Sequence, residues 1–320
     1  MALNPVNRRQ MVTRVAAGLL CPARVAAQPY VGVSHESASR LTSRPELPYE
    51  PPTSLRTVTD IYRRMTAPIR VDGQGPYPFV VDTGANQSVI SLELAAQLGL
   101  PRGPDEPLNG VAGIQMTPTT RARLDVGRRP QTEVVLSMLP AQAIGGAGML
   151  GLDGLENEVL TLDFRGQALR IEAPRRRFGD PDEITLQARR RDGQLTLVDA
   201  DLAGLHLTAF LDSGAQDTIG NLALLSRASN HRTSGLWTHT PIVSATGQTI
   251  SAQMAELPNL RVGRLRLPNW PVAFADLHTF QMWNLIDQPA ILLGVDVMSR
   301  FEYVCLDFSR DEVRFRLPQG

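Results

Sequence analysis

The chain has 320 residues, of which 42% are hydrophobic and 20% charged, proportions typical of a globular protein that buries a core. The formal net charge is zero and aromatic residues make up 5%, which argues against a nucleic-acid-binding protein. All 32 basic residues are arginine, which excludes chemistry that needs a lysine ammonium, such as Schiff bases, Ser-Lys dyads and Walker-type phosphate loops.

The N-terminal segment has the features of an export signal. Four arginines precede the first acidic residue, Glu36, and a short apolar run covers Val15–Cys21. The small residues 25–27 then stand at signal-peptidase spacing. We therefore predict a signal peptide over residues 1–27 and an exported protein. The alternative is a basic tail on a cytoplasmic protein.

Two further segments carry no predicted chemistry. Residues 28–56 are rich in proline and serine, which predicts a flexible leader. Residues 134–152 form an uncharged stretch that is near the length of a membrane-spanning helix. This stretch contains Pro140 and four glycines, which suit loops and strand ends, so we predict no integral membrane span.

The rest of the chain consists of two similar halves. Phe79–Ala95 and Ala209–Leu225 align without a gap, so that every matched pair has the same separation along the chain. A second pair of segments, Ala147–Leu155 and Ala290–Met298, aligns at a larger separation. The second half therefore carries a longer insertion between its two aligned blocks.

Each half contains the same predicted elements in the same order. A strand pair leads into an apolar strand that ends at an aspartate, and a turn, a short helix and a glycine-containing hairpin follow. Many short strands without a long helical period predict an all-β fold, duplicated within the chain. We assign the two halves to residues 57–173 and 184–320, joined by a linker at 174–183.

Both halves carry Asp-Thr/Ser-Gly-Ala after an apolar strand, as residues 82–85 and 212–215. Two carboxyl groups within hydrogen-bond reach cannot both ionise, so a pair formed by Asp82 and Asp212 would share one proton. The ionised member can take a proton from water while the protonated member donates to a substrate carbonyl oxygen. This chemistry needs no metal and no cofactor. The scattered histidines and cysteines likewise match no metal-binding motif.

The residues that follow each aspartate are expected to support this pair. The hydroxyl groups of Thr83 and Ser213 can bond the backbone of the opposite turn. Gly84 and Gly214 lack a Cβ, so the turns and a substrate can approach closely. The remaining supporting residues are Ala85 and Ala215. Alanine cannot donate a hydrogen bond that would lower the carboxyl pKa, so we predict a rate optimum in mildly acidic to near-neutral conditions.

On these two motifs the chain resembles the retropepsin-like aspartic peptidases, in a single-chain form with two copies of the retroviral-protease unit. The resemblance covers about residues 57–317 and implies a bilobed fold with a pseudo-twofold axis. It also implies hydrolysis of peptide bonds in polypeptides, with Asp82 and Asp212 as the catalytic residues. A monomer suffices, because both aspartates belong to one chain. The ending LLGVDVMSRFEYVCLDF resembles the bacterial, exported branch, which implies a bacterial periplasm.

The resemblance also implies how a peptide is held. It places hairpins, or flaps, around residues 111–113 and 245–247, and Gly151 and Gly294 behind the catalytic turns. The implied substrate-binding residues are Asn86, Gln216, Asp217, Ala112, Gly113, Thr246 and Gly247. Retroviral enzymes carry acidic residues just after the turn, where only Asp217 keeps a carboxylate here, so substrate preference does not transfer.

Two other functions are alternatives to an endopeptidase. A catalytically silent peptide-binding module could keep the same cleft, and loss of either aspartate would favour it, but both are present. A glycosidase also needs two carboxyl groups, but the glycine and hydroxyl residues beside each aspartate suit a shared proton better. Asp153 and Asp296 are also duplicated, and we predict that they cap short helices.

Overall fold

Strands make up most of both halves, as the all-β prediction requires. The structure, a computed structural model, describes residues 52–127, 129, 132–155, 157–175, 180–191, 193–228 and 234–318. Within these ranges the side chains of residues 132, 196–199 and 234–237 are not described. The predicted signal peptide, residues 1–27, lies outside the described residues. Both halves belong to one compact unit, Glu50–Gly320.

The described part of the first lobe consists of strands, most of them short, and two short helices. Its elements are β1 (Thr53–Arg56), β2 (Val58–Thr59), β3 (Met65–Val71), β4 (Gln74–Val81), β5 (Val89–Ser91), α1 (Leu92–Gln97), β6 (Asp105–Gly110), β7 (Gly113–Asp125), β8 (Thr132–Leu139), α2 (Ala141–Ile144), β9 (Gly148–Leu150), β10 (Val159–Asp163) and β11 (Ala168–Glu172). Strand β1 comes from the segment predicted as a flexible leader, yet it pairs with β11 along its whole length.

The second lobe repeats this order with longer hairpin strands. Its elements are β12 (Glu183–Arg191), β13 (Gln194–Leu202), β14 (Leu205–Leu211), β15 (Ile219–Gly220), α3 (Leu222–Ala228), β16 (Ser234–Val243), β17 (Thr249–Val262), β18 (Leu265–Phe274), α4 (His278–Met282), β19 (Ala290–Leu293), α5 (Val295–Met298), β20 (Tyr303–Asp307) and β21 (Glu312–Arg316). Helices α1 and α3 begin alike, because Ser91 and Asn221 each accept a hydrogen bond from a backbone N–H three residues on.

The same strand arrangement surrounds the central strand of each lobe. In the first lobe β4 runs parallel to β9, and β9 pairs on its other edge with the antiparallel β5. In the second lobe β14, β19 and β15 repeat this pattern. In each lobe the chain leaves the central strand, β4 or β14, and later returns as the parallel strand beside it, β9 or β19. The turn after the central strand therefore lies next to that returning strand.

A sheet shared by both lobes joins them. Strands β10 and β20, one from each lobe, pair antiparallel, with Thr161 opposite Cys305. Strands β11, β1, β21 and β12 extend this sheet on its two sides. Cys305 is buried there and burial raises the pKa of its thiol, which makes it an unreactive core residue.

The described residues contain no helix that is long and apolar enough to span a membrane. The uncharged stretch 134–152 instead forms β8, α2 and β9 with their connections. Its glycines lie where the chain turns or passes close to other backbone. Gly145 takes a φ of 76° at the end of α2, for example.

Candidate active site

Both motif aspartates follow directly on the central strand of their lobe. Strands β4 and β14 end one residue before Asp82 and Asp212. The backbone N–H of Asp82 donates to the carbonyl oxygen of Leu150 at 2.9 Å, and that of Asp212 donates to Leu293 at 3.1 Å. Each aspartate is therefore held to the neighbouring parallel strand by the same bond.

The carboxyl groups of Asp82 and Asp212 are hydrogen-bonded to each other. We call this pair the dyad. Backbone N–H groups also fix each carboxyl from its own turn. Gly84 donates to Asp82 Oδ1 at 2.8 Å, while Gly214 and Ala215 donate to Asp212 Oδ1 at 2.9 and 3.1 Å. A hydrogen bond between two carboxyl groups needs a proton, so the geometry fits a pair with one shared proton.

The two carboxyl groups have different surroundings. Burial raises the pKa of Asp82, while the hydrogen bond to Asp212, the N–H of Gly84 and the positive charge of Arg64 act against this rise. Burial raises the pKa of Asp212 well above its usual range, and the negative charge of Asp82 and the bond to it raise it further. The positive charge of Arg64 acts on Asp82 and favours its ionised form, so we assign the shared proton to Asp212.

Hydroxyl groups link the two turns across the pseudo-twofold axis. Thr83 Oγ1 donates to the carbonyl oxygen of Leu211 at 3.0 Å and accepts from the N–H of Ser213 at 3.0 Å. Ser213 Oγ donates to the carbonyl oxygen of Val81 at 2.7 Å and accepts from the N–H of Thr83 at 3.0 Å. Both residues are almost fully buried. These four bonds hold the two turns, and hence the two carboxyl groups, at a fixed separation.

The glycine of each turn lies against the opposite carboxyl group. A Cβ on Gly84 would stand 2.5 Å from Cγ of Asp212, and a Cβ on Gly214 would stand 2.4 Å from Cγ of Asp82. Real Cβ atoms do not approach other atoms so closely. The dyad can therefore form only because both positions lack a side chain.

A second pair of glycines packs behind the turns. A Cβ on Gly151 would lie 2.8 Å from the carbonyl oxygen of Ala85. A Cβ on Gly294 would lie 2.7 Å from that of Asp217. Both glycines thus stand at the place that the resemblance implied, where the backbone of the turn leaves no room for a side chain.

The predicted capping role of Asp153 and Asp296 is wrong. Helix α5 has Gly294 as its N-cap and no side-chain capping bond, and Asp153 lies in a turn. The hydroxyl of Ser88 donates to Asp153 at 2.7 Å, and that of Thr218 donates to Asp296 at 2.8 Å. These hydroxyl groups belong to the segments that follow the two dyad turns, so the duplicated aspartates hold those segments in place.

The residues that follow the two turns, and that were predicted to contact substrate, lie at the surface. Asn86 and Gln216 are exposed. Burial raises the pKa of Asp217, and the charge of Arg63, which belongs to the other lobe, acts in the opposite direction. The first lobe has no carboxylate at the position of Asp217, so the two sides of the site differ in charge.

Two hairpins extend from the lobes at the predicted flap positions. The first flap is the β6–β7 hairpin, with Ala112 exposed at its turn and Gly113 at a φ of 139°. The second flap is the β16–β17 hairpin, whose turn contains Thr246 and Gly247. A Cβ on Gly110 of the first flap would stand 2.7 Å from Thr246 Oγ1, so the flap ends meet.

Each flap end also packs on the opposite lobe. Val111 of the first flap packs against a buried aromatic cluster of the second lobe, and its carbonyl oxygen accepts from the N–H of His278 at 2.7 Å. The aromatic cluster is built around Phe210, Phe280 and Trp283. Ala245 of the second flap packs against a cluster in the first lobe, which we call the aliphatic cluster. It comprises Val80, Val89, Leu139, Ile144 and Met149.

Sequence reasoning missed two residues beside the dyad, Arg64 and Gln194. Arg64 is buried just before β3, where it pairs with Asp60 at 2.8 Å and donates to the carbonyl oxygen of Ile144 at 2.9 Å. Gln194, also buried, donates from Nε2 to the carbonyl oxygen of Gly84 in the other lobe. The two are separated along the chain by the same distance as the two aspartates, which is the signal that could have found them.

Comparisons with known families agree with this geometry. A family model described as gag-polyprotein putative aspartyl protease matches residues 67–157, and a model described as aspartyl protease matches residues 198–297. No curated protein matches the chain. One model covers the turn after Asp82 and the other covers the turn after Asp212. The chain therefore belongs to the retropepsin-like aspartyl proteases and carries one lobe of that kind in each half.

Proposed function

We propose that the chain is an aspartic endopeptidase that hydrolyses peptide bonds in polypeptides through a water molecule activated by Asp82 and Asp212. The observation that carries this proposal is the hydrogen bond between two desolvated carboxyl groups at matching positions in the two lobes. The families that match both halves are aspartyl proteases, which supports the same reaction.

The different surroundings of the two carboxyl groups give each a role. Asp82, as the carboxylate, takes a proton from the water as its oxygen attacks the carbonyl carbon of the peptide bond. Asp212 donates its proton to the carbonyl oxygen, which gives a tetrahedral diol. The C–N bond then breaks, the nitrogen takes the proton held by Asp82, and Asp212 recovers a proton from a diol hydroxyl.

The substrate is predicted to lie between the dyad and the two flaps. The flap ends then cover the scissile bond and exclude water other than the attacking molecule. The residues proposed to contact the peptide remain Asn86, Gln216, Asp217, Ala112, Gly113, Thr246 and Gly247. Of the four flap residues, Thr246 is nearly buried where the flaps meet, which favours a role in closure.

The pH dependence follows from the two roles. The rate should rise with pH as Asp82 loses its proton and fall again as Asp212 loses its own. Burial raises the pKa of both groups, and Ala85 and Ala215 supply no side-chain hydrogen bond that would lower it. We therefore predict an optimum in mildly acidic to near-neutral conditions, and a maximum below pH 3 would contradict this assignment.

The test is cleavage of a mixed peptide library between pH 3 and 8 by the chain from residue 28 onward. Asp82→Asn and Asp212→Asn should each lower the rate by about 1,000-fold or more. Asp311→Asn is the matched control, because Asp311 lies in an exposed turn at a φ of 53°, which asparagine adopts readily. Peptide binding without cleavage would instead favour a silent peptide-binding module.

We also propose, from residues 1–27 alone, that the protein is exported. A full chain with a C-terminal tag, produced in a bacterium, should appear in the periplasmic fraction with Gln28 as its first residue. An intact N-terminus in the cytoplasmic fraction would contradict the proposal.

A further inference from the structure

Gln194 departs from the symmetry of the site. Its counterpart in the alignment of the two halves is Arg64, which bonds within its own lobe, to Asp60 and the carbonyl oxygen of Ile144. Gln194, the first residue of β13, instead crosses to the first lobe and donates from Nε2 to the carbonyl oxygen of Gly84. A polar side chain thus reaches one catalytic turn from the other lobe.

This contact places Gln194 beside the dyad. Gly84 is the residue whose missing Cβ leaves room for the carboxyl group of Asp212, only 2.5 Å from where that Cβ would stand. Gln194 is 5% exposed. Its amide therefore lies beside the turn that carries Asp82 and is shielded from bulk solvent.

The other half of the amide has no partner. Gln194 Oε1 is buried and accepts no hydrogen bond from any residue that the structure describes. An amide that served only to tie two loops together would be expected to satisfy both its donor and its acceptor, since a buried, unbonded oxygen is unfavourable. The bond from Nε2 also fixes which end of the amide carries the free oxygen.

We propose that Gln194 is a substrate-binding residue whose Oε1 accepts a hydrogen bond from a backbone N–H of the bound peptide. The ligand class is an extended polypeptide, whose N–H groups are donors of the kind that this oxygen lacks. The bond from Nε2 to Gly84 fixes the side chain on the turn that carries Asp82. A peptide N–H that donates to Oε1 is therefore held at a fixed position relative to that turn. This inference rests on the proposed endopeptidase function and adds a contact made by one lobe only.

The test uses Gln194→Met, which keeps the length of the side chain and removes the acceptor. The peptide sequence that the wild-type chain cuts best is synthesised with a hydroxyethylene group at the scissile bond. Single esters then replace each backbone N–H in turn. Binding of this series to the wild-type chain and to Gln194→Met is measured by fluorescence anisotropy. Gln187→Met is the matched control, because Gln187 is exposed and its amide donates to the carbonyl oxygen of Asp311 at 2.8 Å.

We expect Gln194→Met to raise KM about tenfold with little change in kcat, as loss of one substrate hydrogen bond predicts. One ester should bind the wild-type chain about tenfold more weakly than the parent peptide does. On Gln194→Met the same ester and the parent peptide should bind equally well. Gln187→Met should match the wild type throughout. Gln194→Glu keeps an acceptor oxygen, so if Gln194→Met does not fold, the same single ester should weaken binding to Gln194→Glu.

Two results would overturn the assignment. One is an ester series that loses the same affinity, position by position, in wild type and Gln194→Met. The other is a fall in kcat at unchanged KM, which would make Gln194 a structural tie for Gly84. Failure of the endopeptidase function is distinct, because no peptide would then be cut. In that case the ester series is built on library peptides retained by the wild-type chain, and its outcome still decides the role of Gln194.

Discussion

In the first lobe a threonine and a glycine follow the dyad aspartate, and in the second lobe a serine and a glycine do so, with matching bonds across the pseudo-twofold axis. Eighteen residues before each aspartate the lobes differ in sequence, since the first carries Arg64 and the second Gln194. Two residues before each aspartate the lobes differ again, with Val80 in the first and Phe210 in the second.

Whether a position is the same in the two lobes depends on what its side chain contacts. Thr83 and Ser213 bond to each other's turns, so neither can change without disturbing both lobes. Val80 and Phe210 instead pack beneath the flap end of the other lobe, in the aliphatic and the aromatic cluster. Thr83 and Ser213, which bond reciprocally across the axis, are thus alike in the two lobes. Val80 and Phe210, which pack under the flaps, differ in size and shape. The space between the dyad and the flaps is therefore asymmetric.

The largest expected effect tests the symmetric part. Gly84→Ala and Gly214→Ala should each lower kcat/KM by at least about 100-fold, because the new methyl would stand 2.5 or 2.4 Å from the opposite carboxyl carbon and would displace that group. Gly146→Ala is the control, since its Cβ would meet nothing closer than 3.4 Å. Steady-state kinetics on the best library peptide measure all three. A fall confined to either Gly84→Ala or Gly214→Ala would show that the two turns are not equivalent.

The next effect concerns the hydroxyl groups that join the lobes. Thr83→Val and Ser213→Ala each remove two cross-lobe hydrogen bonds, so each should lower the free energy of unfolding by roughly 2–3 kcal/mol. Thr120→Val is a control for a buried hydroxyl within one lobe, since it loses one bond to Pro101 and should cost about 1 kcal/mol. Urea unfolding measures the difference. Equal losses in all three variants would deny any special role to the cross-lobe bonds.

The sequence identified the symmetric part well. Asp82 and Asp212 could be assigned because their motif spans four residues and repeats in an alignment without gaps. Many of the short strands could be predicted because glycine or proline marks many of the turns between them. The turn that holds each carboxyl group is a local feature, and local patterns are visible in one sequence.

The asymmetric part could not be predicted, because its contacts join distant segments. Arg64 and Ile144 are 80 positions apart, and Gln194 and Gly84 are 110 positions apart. Alignment of the two halves pairs Arg64 with Gln194 but does not say what either touches. The capping role expected of Asp296 failed for the same reason, since the hydroxyl of Thr218, 78 positions away, is its partner.

Arg64 offers a way to make the lobes more alike. Its positive charge lowers the pKa of Asp82, so Arg64→Gln, which copies the second lobe, should raise that pKa. The acidic limb of the kcat/KM profile should then move to higher pH, while the basic limb, set by Asp212, stays in place. Asp60→Asn should have the opposite sign, because it leaves the charge of Arg64 unpaired. A pH–rate series measures both variants, and shifts in the same direction would contradict an electrostatic role.

The smallest expected effect concerns the flaps. The first flap is held on the opposite lobe by Val111 and by the bond from His278, whereas the second is held by the smaller Ala245. The first flap should therefore open less readily. Val111→Ala removes two methyl groups from the contact, about 1 kcal/mol, and should speed amide hydrogen exchange in β6 and β7 about fivefold. Ile114→Ala on the same hairpin removes an exposed side chain and should leave exchange unchanged. If both variants exchange alike, the flap is held by its own hairpin bonds. The difference between the flaps would then have to come from the longer strands of the second, and not from where their ends rest.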